Sequence, residues 1–407
     1  MRLGYASAVL AATALTSCMT APPSDPSGGQ PTAPGPEFSL TPNGFDTLPG
    51  WYDADLAPAL LALQRQCSTW SDLPPQRSIG EGRYGGMIAD WLPACEAASE
   101  IAPGEERTFF ESNFAPAEVG GGGETKLTAY YEPVILARRK KLPGYTEPLL
   151  RPPPDLVTVD VDAFSRDDEP SRRAPRILTG RVRKGKLVPY PKRGNIPIDD
   201  DQVIAYAHPA DVYNLQVQGS GRLRFEDGTE TRAAYAGQNG YRWRSALGAL
   251  RSRGAITEAT WASFRKWMDA HPGKKTTEAL NADPSYVFFQ EENIDDLNAG
   301  PRGAAGVPLT PLGSVAVDPA FHPYGALVFV DGRYDGAPFQ RLLVAQDTGG
   351  AIKRGPTRGD VFFGTGIAAG DDAERMNAPA RWWTLVPKSL HDSFANASAR
   401  NVTRRTR

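Results

Sequence analysis

Three aspartates stand where a β scaffold can deliver them to one cleft. Asp318 ends the apolar run Ser314-Val315-Ala316-Val317, Asp347 follows Leu342-Leu343-Val344-Ala345-Gln346, and Asp360 opens Val361-Phe362-Phe363 directly after Gly359. Strand ends can carry polar groups into a cleft without disrupting the core behind them. Carboxyl groups that converge there repel one another and lose solvent, and both effects raise the pKa of at least one of them. A carboxyl raised in this way serves as a general acid near neutral pH. The same residues also read as ordinary turn aspartates, because Asp is common where strands end. Glycines crowd the last two: Gly349, Gly350, Gly355, Gly359, Gly364, Gly366 and Gly370. A residue without a Cβ lets a bulky polymer approach the backbone closely.

Other chemistry is thinly supplied. The chain has four His and three Cys among 407 residues, and neither a CxxC nor an HExxH spacing, so no metal site on those residues is expected. The formal net charge of -2 lacks the basic excess of a nucleic-acid binder. The length suits two domains, and 40% apolar with 23% charged residues is ordinary for a globular protein. Glycine (41) and proline (37) exceed average usage, which favours turns, short strands and β barrels over helical bundles.

The elements that must position the aspartates follow from periodicity. A helix is expected over 53–67, with Leu56, Leu60, Leu63 and Cys67 on one stripe, and another over 87–101. Residues 126–138 read as a strand that Pro133 interrupts, so it is an edge strand or it bends there. Apolar and amide side chains alternate in Asn214-Leu215-Gln216-Val217-Gln218, which predicts a strand with Gln216 and Gln218 on one face. Gly219-Ser220-Gly221 turns that strand into Arg222-Leu223-Arg224-Phe225, and Asp227-Gly228 marks a further turn. Helices are expected over 242–252 and 257–271, the second capped by Thr257 and ended by Pro272-Gly273. Its stripe of Trp261, Phe264, Trp267 and Met268 reads as core packing. Short strands then return at 186–189, 286–289, 313–317, 326–330, 342–345 and 361–363.

The N-terminus carries an address. Arg2 precedes an apolar stretch from Ala6 to Leu15, too short to span a bilayer, and Leu15-Thr16-Ser17-Cys18 resembles a bacterial lipobox. Residues 1–17 are then a signal peptide, and acylated Cys18 holds the chain in a membrane. Met19 stands where an inner-membrane retention Asp would, which points to an outer-membrane lipoprotein facing the periplasm. Residues 18–44 are rich in Pro, Ser, Gly and Thr and read as a flexible tether spanning on the order of 25–30 Å. In an oxidising compartment Cys67 and Cys95 are open to two readings, a disulfide or two buried thiols.

The segments Gln346-Asp347-Thr348-Gly349-Gly350-Ala351-Ile352-Lys353 and Arg358-Gly359-Asp360-Val361-Phe362-Phe363-Gly364-Thr365-Gly366, with Ser314 to Pro319 upstream, resemble the three-aspartate domain of the membrane-bound lytic murein transglycosylase A family. Leu127-Thr128-Ala129-Tyr130-Tyr131-Glu132-Pro133, Leu215 to Gly221 and Tyr235 to Gly240 are similar to further segments of that family, all in family order. Ala129 departs from the family's usual Gly before the paired Tyr, and residues 140–205 match poorly.

The resemblance implies a mainly β chain with flanking helices. A double-psi β-barrel would be formed by 45–133 and 284–407, a smaller β-barrel domain would be inserted at 134–283, and the glycan would lie in the groove between them. It implies cleavage of the β-1,4 bond between N-acetylmuramic acid and N-acetylglucosamine in peptidoglycan, leaving a 1,6-anhydro end, with no cofactor and no metal. Asp360 matches the family's catalytic Asp, and Asp347 and Asp318 match the other two aspartates. Thr128, Tyr130, Gln216, Gln218, Gly219 and Ser220 fall in segments expected to line the groove. Expected partners are peptidoglycan strands, outer-membrane lipid through Cys18, and cell-wall synthesis or division proteins that the residues do not identify. Two alternatives remain open at this level: a peptidoglycan hydrolase using Asp360 and Asp347 as a pair, and a non-catalytic murein-binding lipoprotein.

Overall fold

The computed structural model describes residues 38–80, 84–122, 125–161, 177–349, 352 and 355–391. Cys18, the signal peptide and most of the tether lie outside the described residues. The described chain opens with β1 (Phe38–Pro42), helices α1 (Ala57–Trp70), α2 (Ile88–Ala98) and α3 (Glu106–Asn113), then β2 (Phe114–Gly121) and β3 (Lys126–Glu132). There follow β4 (Val134–Arg138), β5 (Glu147–Leu150), β6 (Val157–Asp160), β7 (Ile177–Arg183), β8 (Lys186–Pro189), β9 (Val203–Ala207), α4 (Pro209–Gln218), β10 (Gly221–Arg224) and β11 (Glu230–Gln238). Helices α5 (Ala246–Ser252), α6 (Trp261–Ala270) and α7 (Lys274–Leu280) precede β12 (Val287–Glu292). The remainder is β13 (Ser314–Ala316), β14 (Leu327–Tyr334), β15 (Ala337–Asp347), β16 (Arg358–Thr365), α8 (Ile367–Arg375), β17 (Asn377–Ala378) and β18 (Arg381–Pro387).

Among the described residues, strands from both ends of the chain form one nine-stranded sheet, ordered β1-β2-β18-β14-β15-β13-β16-β3-β17. Period-two alternation sorts its side chains. Leu327 and Phe329 of β14 face α1–α3, while Val328 and Val330 join Leu127, Val315, Leu343, Val361 and Trp382 in a second core on the other face. Cys67 and Cys95 form a disulfide that ties α1 to α2 on the helical side. The middle of the chain forms a six-stranded sheet, β12-β11-β10-β4-β9-β5, covered by α4 through Val212 and Leu215, and a small three-stranded sheet, β6-β7-β8.

Pro133 is where the chain leaves one sheet for the other. β3 pairs with β16 in the first, and one residue later β4 pairs with β9 and β10 in the second. Proline donates no ladder hydrogen bond, so a strand ends there at little cost; the bend expected at Pro133 is a change of sheet.

Several expectations need correction. Asn214–Gln218 is not a strand but the end of α4. Pro209 at the helix start, the His208 side chain accepting from Ala210 N, and Gly219 closing the helix at φ 87° set a helical frame that five alternating residues do not reveal. The hairpin expected around Gly219-Ser220-Gly221 is absent with that strand; the further turn at Asp227-Gly228 instead joins β10 to antiparallel β11. Thr260, not Thr257, caps α6, and its hydroxyl accepts from Ser263 N. Residues 38–42, counted above with the tether, pair with β2 along their length, and Phe38 packs against Tyr84 and Phe321.

Candidate active site

β13 holds the centre of the site. Ala316 pairs with Asp347 at the end of parallel β15, across a bulge, and with Asp360 of antiparallel β16 on its other side. Asp360 in turn pairs with Thr128 of parallel β3. A bulge re-aims the side chains that follow it, and here it helps bring two carboxylates and two hydroxyls to neighbouring positions. Thr128 Oγ1 donates to Asp360 Oδ1 at 2.5 Å, and Tyr130 OH donates to Asp347 Oδ2 at 2.8 Å. Ala304 N donates to Asp347 Oδ1 at 3.0 Å. The Tyr130 ring rests on Phe362, with centroids 5.4 Å apart.

The two carboxyl groups do not share one environment. Burial pushes Asp360 above the usual carboxylate range; the Thr128 bond and Arg358 oppose this, and the charge of Asp347 adds to it. Burial also pushes Asp347 up, but donors from Tyr130, Thr348 and Ala304 oppose it. Three hydrogen-bond donors favour an ionised Asp347, whereas Asp360 has one hydroxyl donor, the Arg358 charge and a like charge beside it. Burial and Asp347 together hold the Tyr130 hydroxyl far above its ordinary range, so it remains a donor.

Asp318 lies two residues after β13. It is buried, its Oδ1 accepts from Ala320 N at 3.1 Å, and its carbonyl accepts from Phe321 N and His322 N. Its neighbour Val317 is joined to the next strand end: Val317 N donates to the Asp347 carbonyl at 2.9 Å, and Thr348 Oγ1 donates to the Val317 carbonyl at 2.8 Å. Tyr324, which no motif singled out, reports on both acids. Its hydroxyl is pushed up to about 12 by burial first, then by Asp347, against a bond with Thr348, with Asp318 adding to the rise.

The floor beneath Asp360 is apolar and tightly filled. A Cβ on Gly359 would strike the Trp382 indole, and one on Gly370 would lie 2.7 Å from the Tyr131 ring. These glycines serve interior packing, not polymer approach; open space surrounds the Cβ positions of Gly366 and, apart from Ile352 at 3.5 Å, Gly349. His322 stacks on Trp382 and is fully buried. Its Nε2 donates to the Pro356 carbonyl at 2.6 Å, which leaves Nδ1 to accept from Tyr84 OH at 2.7 Å.

The amide residues expected in the groove separate. Gln216 is buried on α4, where its Oε1 accepts from Arg193 Nη1 at 2.6 Å, so it faces the interior and not the groove. Gln218 reaches β3, accepting from Tyr131 N at 3.2 Å, and Asn214 Nδ2 donates to Tyr131 OH at 2.7 Å. Gly219 and Ser220 are half-exposed beside it. Among the described residues, no cluster of three or more His, Cys, Asp or Glu could hold a metal ion, and no helix is long and apolar enough to cross a membrane.

Two family models match the chain: the MltA specific insert domain at residues 126–290 and the 3D domain at residues 313–386. A crystal structure of membrane-bound lytic murein transglycosylase from Agrobacterium tumefaciens superimposes with a TM-score of 0.72 at 30% identity, covering 88% of this chain and 99% of that one. The chain belongs to the membrane-bound lytic murein transglycosylase A family. The family's enzyme from Escherichia coli K12 is 30% identical over 277 residues, which span 65% of this chain and 66% of that protein. The E. coli structure with bound chitohexaose aligns at a TM-score of 0.60 and 25% identity, covering 89% of this chain and 97% of that one. As in this transglycosylase family, the fold is mainly β, a double-psi β-barrel with an inserted domain.

Proposed function

We propose that this chain is a peptidoglycan lytic transglycosylase that cuts the β-1,4 bond between N-acetylmuramic acid and N-acetylglucosamine, with Asp360 as acid and then base. The observation that carries this reading is the asymmetry of the two carboxyls: Asp360 is raised by burial and by Asp347, while Asp347 collects the donors. The family assignment and the chitohexaose held by the E. coli relative support a glycan substrate.

Most glycosidases divide the work between an acid and a second carboxylate acting as nucleophile or base. A transglycosylase manages with one. Protonated Asp360 gives its proton to the glycosidic oxygen, and the bond to the muramyl C1 breaks with oxocarbenium character. The muramyl C6 oxygen attacks C1 and closes the 1,6-anhydro ring. Its proton passes to the Asp360 carboxylate, which restores the acid. The nucleophile belongs to the same sugar, so high effective molarity replaces an activated water. Asp347 keeps Asp360 protonated by repulsion, Thr128 aims the carboxyl, and Asp318 supports the strand end that carries Asp347.

The barrel is assigned to the two chain ends and the insert to the segment that starts after Pro133. Because β12 pairs with β11, the insert is drawn to Glu292, beyond the boundary near residue 284 expected above. Its family places the protein at a membrane, as the names of its relatives say; the finer assignment is an outer-membrane lipoprotein anchored through Cys18 and facing the periplasm.

Digestion of purified sacculi followed by product mass analysis tests the activity. Anhydro-muropeptides are expected, each lighter by one water than a hydrolase product. Asp360→Asn is expected to lose turnover and keep glycan binding. Free reducing ends would transfer the chain to the hydrolases, and retention on sacculi without release would make it a binding protein.

A further inference from the structure

Alternate residues of a strand face the same way, and the row Thr128, Tyr130, Glu132 on β3 ends in a buried charge. Glu132 is 0% exposed. Its Oε2 accepts from Arg222 Nε at 3.0 Å and from Thr365 Oγ1 at 2.8 Å, and its Oε1 accepts from Arg232 Nε at 2.6 Å. Arg222 and Arg232 belong to β10 and β11 of the six-stranded sheet, whereas Thr365 ends β16, the strand of Asp360. Both arginines also hold the loop that returns from one sheet to the other. Arg222 Nη2 donates to the carbonyls of Leu297 at 2.8 Å and Ala299 at 3.3 Å, and Arg232 Nη2 donates to Ala299 at 2.9 Å.

Such a cluster is weak evidence for stability, because stripping water from three charges offsets their attraction. What it supplies is direction: charge-assisted bonds from fixed forks tolerate little displacement. Arg222 lies two residues after Ser220 and four after Gln218, so whatever holds Arg222 also holds that wall.

We infer that Glu132 is a positioning residue, whose carboxylate bridges Arg222 and Arg232 to Thr365 and so fixes the wall bearing Gln218 and Ser220 relative to Asp360. This rests on the reading of the site as a glycan cleft. A strand long enough to touch both walls then binds without first drawing them into register. Losing the bridge weakens glycan binding while the groups around Asp360 stay in place.

Two near-isosteric variants separate this role from folding. Glu132→Gln removes the charge, and Thr365→Val removes the hydroxyl's bonds to Glu132 and Arg222 and leaves both ion pairs. With soluble murein glycan strands, each folded variant is expected to raise KM by about five- to tenfold, with kcat within about twofold of wild type and an unchanged pH profile. Reduced stability alone would scale the active fraction and leave KM untouched. Unchanged KM in Thr365→Val overturns the proposal even where Glu132→Gln fails to fold, and so does a fall in kcat at constant KM. Calorimetric affinity for the same strands is expected to fall in parallel, whatever products the wild-type enzyme releases. Wild type without anhydro products but with that loss of affinity in the variants sinks the activity and keeps the bridge.

Discussion

Thr128 Oγ1 lies 2.5 Å from Asp360 Oδ1, and it is the hydroxyl that donates. It favours the ionised carboxyl and so works against the burial that raises the Asp360 pKa. Thr128→Val therefore raises the Asp360 pKa further. The alkaline limb of the pH–rate profile, where a general acid loses its proton, is expected to move to higher pH. Maximal kcat is expected to fall by about tenfold, because the carboxyl loses its aim. Steady-state kinetics across pH check both; a limb that stays in place removes Thr128 from the mechanism.

Asp347→Asn has the opposite sign. The charge of Asp347 helps hold Asp360 up, so its removal lets Asp360 ionise at lower pH. The alkaline limb is expected to move down, with a rate loss of about tenfold or more near neutral pH. An unshifted or upward-moving limb would assign Asp347 some role other than keeping the acid protonated.

These opposed effects were legible in part from sequence. The three aspartates gather because β13 and β15 end, and antiparallel β16 begins, on the same side, and each strand announces itself by an apolar run. Thr128 and Tyr130 are legible only through likeness to the family's motifs, since nothing in β3 alone says which strand it joins. α4 is hard to read for a physical reason: alternation over five residues also fits a helix end, Pro209 stands five residues upstream, and the adjacent Gly219 serves a helix stop and a hairpin turn equally well. Glu132 lies in a family-like motif but shows no role in sequence, because its arginine partners stand 90 and 100 residues away. Pairing over such separations leaves no local pattern. The glycines misled differently: Gly359 and Gly370 are small because Trp382 and Tyr131 fill their space.

His322 sets an acid limit on the fold. Burial pulls its pKa down from 6.5 to about 4, with the Pro356 bond opposing. The unfolded chain binds the proton first, so stability is full above pH 6.5 and falls as pH drops toward 4. The shift converts to about 3 kcal/mol at 1.36 kcal/mol per unit. Urea unfolding at pH 7 and pH 4.5 is expected to show a loss of about 2–3 kcal/mol that is missing from the pH dependence of His322→Gln. That variant is itself expected to be less stable at pH 7, since Tyr84 and Pro356 lose a partner shaped to both. An identical pH dependence in the two proteins would exclude His322 as the source.

Gly359 tests whether the floor under Asp360 positions the acid. Its missing Cβ is occupied by the Trp382 indole, with Val315 on the same side. Gly359→Ala forces β16 and Trp382 apart, an overpacking that costs about 1–3 kcal/mol. Asp360 is the next residue, so the displacement reaches the carboxyl directly. A shift of about 1 Å at a reacting group is enough to lower kcat by about a hundredfold, and kcat is expected to fall by more than the loss of folded protein explains. Trp382→Phe removes the outer part of the indole that makes the clash. In the Gly359→Ala/Trp382→Phe double variant kcat is expected to recover at least in part, although Trp382→Phe alone leaves a void and lowers stability. If the double variant is no more active than Gly359→Ala, Asp360 does not owe its placement to this contact.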